Sequence, residues 1–122
     1  MSFDTDLWQL DRETAEKYGV VYTPPEVVGF MLQSVLDVLR AEFPGETPHY
    51  YEPFGGGGAI VSALVAAGAG EKITVFEIMP EAVENMKNMG FPGNVEVIEA
   101  DTFKNKLNLE ELNVIITNPP YG

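Results

Sequence analysis

The chain of 122 residues has no cysteine, so no disulfide framework staples it and its stability has to come from a packed core. It also has few basic residues, seven Lys and Arg against nineteen Asp and Glu, for a net charge of −12. Proteins that grip a phosphate backbone unaided display clustered Lys and Arg. Here Arg12, Lys17, Arg40, Lys72, Lys87, Lys104 and Lys106 are scattered along the sequence, so the isolated chain is expected to bind nucleic acid poorly. Long apolar runs are absent too. The longest weakly polar stretch, GAIVSALVAAGAG, covers 13 residues, short of the roughly 20 that a membrane-spanning helix needs. The start, MSFDTDLWQLDRE, has neither the basic region nor the apolar run of a signal peptide, which makes a cytoplasmic location and no membrane partner the expectation. There is no internal repeat, low-complexity tract or linker.

What is present fits one domain, because 45% hydrophobic residues suffice for one core in a chain of this length. Residues 1–19 read as an N-terminal extension, with DRETAEKYG as a short helix within it, and residues 20–122 as the domain proper. The segment TPPEVVGFMLQSVLDVLRAEF has an explicit helix start. Thr23 is an N-cap, Pro24 takes the first helical position, and Glu26 completes a T-x-x-E capping box. Val27, Val28, Met31, Val35, Leu36, Val38 and Leu39 give it a broad apolar stripe. Strands are expected at HYYEP, KITVFEI, NVEVIEA and NVIITN. An Ala-rich helix closed by Gly68 and Gly70 follows the first strand, and PEAVENMKNMG, opened by Pro80 and closed by Gly90, follows the second. DTFKNKLNLEEL is expected to be a loop and short helix. Strands alternating with helices predict right-handed crossovers and a parallel sheet.

In an open parallel α/β sheet, ligands sit beyond the carboxyl ends of the strands, near the point where strand order reverses. Four features fall at such ends: the glycine run at residues 55–58, Glu77, Asp101, and the N-P-P-Y of residues 118–121. Four glycines in succession let a backbone approach a ligand closely and adopt positive φ, although a tight strand-to-helix turn asks for glycine as well. Glu77 lies 25 residues after Glu52, near the spacing at which an acidic side chain accepts from ribose hydroxyls; an ordinary solvated strand-end charge is the alternative.

A nicotinamide dinucleotide is disfavoured by spacing. A G-x-G-x-x-G count from Gly55 ends on Ile60, and one from Gly56 ends on Val61, where a small residue is required. No Lys-Ser or Lys-Thr follows the glycines, which excludes a P-loop. An adenosine ligand without pyrophosphate is left. In Asn118-Pro119-Pro120 each proline restricts the residue before it to extended conformations, which makes a stiff hook of fixed acceptors. An exocyclic amino group offers hydrogens to two such acceptors, while Tyr121 supplies an aromatic face. That suits an extruded base. A proline-rich strand exit with a surface tyrosine is the bland alternative.

Taken in order, VYTPPEVVGFML, YYEPFGGGGAI, VFEIMP, EADTF and IITNPPYG resemble the motifs of S-adenosylmethionine-dependent amino-methyltransferases, in particular the N6-adenine DNA methyltransferases of restriction-modification systems in the gamma arrangement. The resemblance covers residues 20–122. It implies a Rossmann-like methyltransferase sheet of which this chain is the N-terminal half, about four parallel strands with flanking helices. It also implies a cofactor site in which Tyr22, Thr23 and Pro24 close over the methionine end, Glu52, Pro53 and Phe54 lead into the glycine motif, and Gly55 and Gly57 approach the methionine portion. In that site Glu77 binds the ribose, Ile78 packs on the cofactor adenine, and Asp101 with Phe103 holds its edge. Asn118, Pro119 and Pro120 would orient the target amine and Tyr121 would stack on the base, giving transfer of a methyl group to N6 of adenine in DNA with no metal.

Relatives continue past this point with further strands and a target-recognition region. The resemblance therefore implies DNA contacts supplied by a missing region or partner subunit, an open sheet edge fit for self-association or a partner chain, and an isolated chain that is inactive. RNA bases, cytosine N4 and protein glutamine are alternative acceptors of the same motif. A non-catalytic S-adenosylmethionine-binding or interaction module is the reading from another class.

Overall fold

The computed structural model describes residues 25–68 and 71–117. The extension at 1–19 with its short helix, the cap at Thr23, Tyr22, Pro24, Gly70, and the whole of residues 118–122 lie outside the described residues. The described part is α/β, with an all-parallel four-stranded sheet.

Helix α1 spans Pro25–Glu42, with Glu26 in its first turn and Arg40 in its last, each of the sign that the helix dipole favours. The buried stripe is narrower than the sequence suggests. Val28, Met31, Leu32, Val35, Leu36 and Leu39 face the core, whereas Val27 and Val38 are exposed. The three-four spacing from Val28 selects Leu32 and leaves Val27 and Val38 on the flank. Phe30, on the far side, is 74% exposed.

Strand β1, His49–Glu52, enters the glycine run, and α2, Ala59–Ala66, leaves it. Strand β2, Ile73–Glu77, is buried along its whole length. It leads to α3, Pro80–Lys87, whose proline sits at the helix start where a missing N–H costs nothing. Strand β3 is Val95–Glu99 and β4 is Asn113–Ile115. Between them the only helical piece is a 3-10 turn at Thr102–Lys104, less than the sequence suggests.

Strand order is β3-β2-β1-β4. The chain steps from β1 outward to β3, then returns across the sheet to place β4 on the other side of β1. This is the order of the first half of a doubly wound fold, and it puts the reversal point between β1 and β4. Side chains alternate between the two faces of each strand. One face carries Tyr50, Ile73, Val75 and Val114, which pack with α1, α2 and Met86 of α3 into a single cluster. Val61, Leu64, Ile73 and Val75 are fully buried, and each contributes about 1.5–3 kcal/mol by leaving water.

The other face carries His49, Tyr51, Thr74 and Phe76. Its aromatic rings stack in sequence, His49 on Tyr51 with centroids 4.1 Å apart and Tyr51 on Phe76 at 6.3 Å. His49 joins Thr74 at 2.7 Å and Glu111 at 2.9 Å. Glu111 belongs to the β3–β4 return, so the end of that return lies against the face that carries His49. β3 and β4 are the edge strands of the described sheet.

Candidate functional site

The carboxyl ends of the strands are joined by a set of specific bonds around the glycine run. Gly55 N–H donates to the Phe76 carbonyl at 2.9 Å, tying the loop after β1 to the end of β2. Gly56 takes φ +54° and Gly58 φ +88°, conformations that only glycine holds without strain. Gly56 thereby turns its N–H onto Glu77, whose Oε1 accepts it at 2.7 Å, while Oε2 of the same carboxylate accepts from Met79 N–H at 2.8 Å. Glu77 is 7% exposed. In this arrangement it holds the glycine loop and the start of α3 together. The four lone-pair positions of a carboxylate leave it able to accept further bonds, such as those from ribose hydroxyls.

Gly55 serves packing as well as approach. A Cβ there would run into the Val75 side chain and come within 2.8 Å of the Met86 methyl. Gly57 is half-buried in the same loop. Pro53 and Phe54 continue from β1, and both are half-buried. The Pro53 carbonyl accepts from the Thr102 hydroxyl, and the Phe54 ring lies 5.8 Å from that of Phe103 in a tilted pair. Phe103 is 85% exposed, and Ile78, on the next strand end, is exposed too. Asp101 caps the 3-10 turn by accepting from Phe103 N–H at 3.0 Å. The glycine run, Glu77, Ile78, Asp101 and Phe103 are thus gathered along one edge of the sheet, with apolar side chains open to solvent beside the loop.

Glu52 is the most constrained member of the set. It is 1% exposed at the end of β1, and no Lys or Arg among the described residues pairs with it. Oε1 accepts from Phe54 N–H at 2.7 Å and from the Thr117 hydroxyl at 2.6 Å, while Oε2 is buried with no partner among the described residues. Burial pushes its pKa up to about 8, with the Glu77 charge adding to the rise and the bonds from Thr117 and Phe54 opposing it. Glu52 is consequently a neutral carboxyl through most of the physiological range.

Thr102 and Thr117 escape a reading of the sequence, although each adjoins a residue already singled out, Asp101 and Asn118. Their roles depend on Pro53 and Glu52, 49 and 65 residues earlier, and hydroxyls that bond across strands leave no periodic trace. Tyr22, Thr23, Pro24, Asn118, Pro119, Pro120 and Tyr121 lie outside the described residues. Among the described residues no group of three or more His, Asp and Glu could hold a metal ion, and no helix is long and apolar enough to cross a membrane.

No protein-family model matches this chain, and no curated protein or solved structure is significantly similar to it.

Proposed function

We propose that this chain is the cofactor-binding and N-P-P-Y part of an S-adenosylmethionine-dependent methyltransferase acting on the exocyclic N6 of adenine in DNA. The observation that carries the cofactor is the occupation of the glycine loop. A loop that cradles phosphate turns its free amides outward to an anion. Here the Gly56 amide is held by the Glu77 carboxylate, the Gly55 amide by a carbonyl, and Gly58 N–H by the carbonyl of Gly55. Glu52 lies nearby, its second oxygen buried and without a partner among the described residues. The Glu77 carboxylate beside a loop in which the Gly55, Gly56 and Gly58 amides are engaged disfavours phosphate and favours an adenosine that carries positive charge, as the sulfonium and ammonium of S-adenosylmethionine do.

In this reading the exposed Ile78 and Phe103 flank the adenine, Glu77 accepts from the ribose, and the glycine loop lies against the methionine portion. Asn118 and the Pro119 carbonyl accept the two hydrogens of the target amine, with Tyr121 stacked on the base. Acceptors at those hydrogens draw the nitrogen lone pair out of the ring system. S-adenosylmethionine, when bound, would supply the methyl group to that nitrogen by displacement at carbon, with the electron pair of the carbon–sulfur bond left on sulfur and the nitrogen's proton passing to water. Such a displacement depends on positioning and electrostatics. With a net charge of −12, the DNA contacts come from a further region or a partner subunit.

Calorimetric titration with S-adenosylmethionine tests the reading, with NADH and ATP as controls. Saturable binding to S-adenosylmethionine alone is expected, weakened about tenfold or more, about 1.4 kcal/mol, by Glu77→Ala. Binding of ATP or NADH instead, or no binding by chain shown to be folded, would overturn it.

A further inference from the structure

Strand order puts β2 between β1 and β3, so strand pairing by itself brings no contact between the segments that leave β1 and β3. The ladder from β2 to β3 closes with Ala100 N–H donating to the Glu77 carbonyl at 3.0 Å. Two residues later the chain reaches across. The Thr102 hydroxyl donates to the Pro53 carbonyl, which ties the 3-10 turn after β3 to the segment that enters the glycine run and bridges the end of β2. Within the turn, Asp101 accepts from Phe103 N–H at 3.0 Å, and the Asn105 side chain donates to the Asp101 carbonyl at 2.7 Å. The turn is therefore braced, yet the ring it carries is open, since Phe103 is 85% exposed. That ring meets the Phe54 ring at 5.8 Å and 55°, a tilted setting inside the range of roughly 4.5–7 Å that aromatic pairs favour.

We infer that Thr102 is a positioning residue: by holding the 3-10 turn against Pro53 it presets the Phe103 ring as a platform for the adenine of the cofactor, and so raises the affinity of the site for that nucleobase. The inference rests on the methyltransferase reading. An exposed side chain left to itself changes rotamer within picoseconds to nanoseconds, and a ligand that stacks on it has to bear the loss of that freedom. Immobilising one such side chain on binding lowers affinity by about two- to tenfold. A turn already pinned to Pro53, with the Phe54 ring beside Phe103, meets much of that loss when the chain folds.

A double-mutant cycle read by calorimetric titration with S-adenosylhomocysteine separates positioning from general support of the fold. Thr102→Val keeps the shape of the side chain and removes the hydroxyl, and is expected to weaken binding about threefold to tenfold. Thr102→Ser, which keeps the hydroxyl, is expected to retain the wild-type affinity. Phe103→Ala removes the platform itself and is expected to weaken binding by at least as much as Thr102→Val. In the Phe103→Ala background, Thr102→Val is expected to cost no further affinity, because its effect runs through the ring. Thr102→Ala provides a second removal of the hydroxyl, and circular dichroism melting checks that each variant is folded.

Undiminished affinity in folded Thr102→Val or Thr102→Ala overturns the positioning role. An equal loss in both backgrounds also overturns it and makes Thr102 a support of the glycine run through Pro53. Wild-type affinity in Phe103→Ala overturns this inference alone and leaves the cofactor site standing. Failure of the folded wild-type chain to bind S-adenosylhomocysteine overturns the methyltransferase reading and this inference with it.

Discussion

Replacing Glu52 by Gln should change how the stability of this chain depends on pH. In the folded protein the carboxyl titrates near 8 in place of its ordinary 4.5, and each pH unit between those values is worth about 1.4 kcal/mol. Across that window the folded state keeps a proton that the unfolded chain releases, so stability falls as pH rises through it. The contribution is intact below about pH 4.5 and gone above about pH 8, a total of roughly 5 kcal/mol at most. That is comparable with the whole stability of many domains, about 5–15 kcal/mol.

Gln reproduces the protonated acid. Its oxygen still accepts from Phe54 N–H and Thr117, and it has no proton to lose. Urea unfolding followed by circular dichroism at pH 5, 6.5 and 8.5 is the assay. Wild type and Glu52→Gln should be of similar stability at pH 5 and diverge by about 1.4 kcal/mol per pH unit from there to about pH 8, with Gln the more stable at pH 8.5. Parallel pH profiles would refute the reasoning, since they would mean that water or a cation reaches the Oε2 oxygen and lets the carboxylate ionise in place.

Gly55→Ala should destabilise the fold by about 1–3 kcal/mol through overpacking against Val75 and Met86, read as a lower thermal midpoint; an unchanged midpoint would mean that the loop has room to shift. Glu111 has its pKa lowered chiefly by the bond from His49. Its stabilising effect is present above the ordinary carboxylate range and lost as pH falls through the lowered value. Glu111→Gln should therefore be less stable than wild type at neutral pH and converge with it in strong acid, as an acid titration of the unfolding midpoint would show.

Much of the fold was legible in local patterns. Each expected strand of the described region is present, though β4 stops at Ile115, and Pro80 opens α3 as a proline at a helix start should. Alternation of strands and helices predicted the parallel sheet. The breadth of the α1 stripe was not legible, because Val27 and Val38 are as apolar as Val28 and only the packing partner decides which faces inward. Nor was the length of the β3–β4 helix, where composition permits a helix and a single 3-10 turn is formed.

The candidate site divides in the same way. Sequence by itself determined that glycines, carboxylates and a proline hook stand at strand ends, since strand ends are set by local periodicity and turn residues. Only the tertiary structure decided what each group touches. Glu52 and Glu77 look alike as strand-terminal acids, yet Glu77 satisfies two backbone amides while Glu52 is sealed beside Thr117, with one oxygen that no described residue partners. The difference comes from strand order. The return of the chain to place β4 against β1 brings residue 117 to residue 52, and a contact across 65 residues is fixed by topology, which local sequence does not specify.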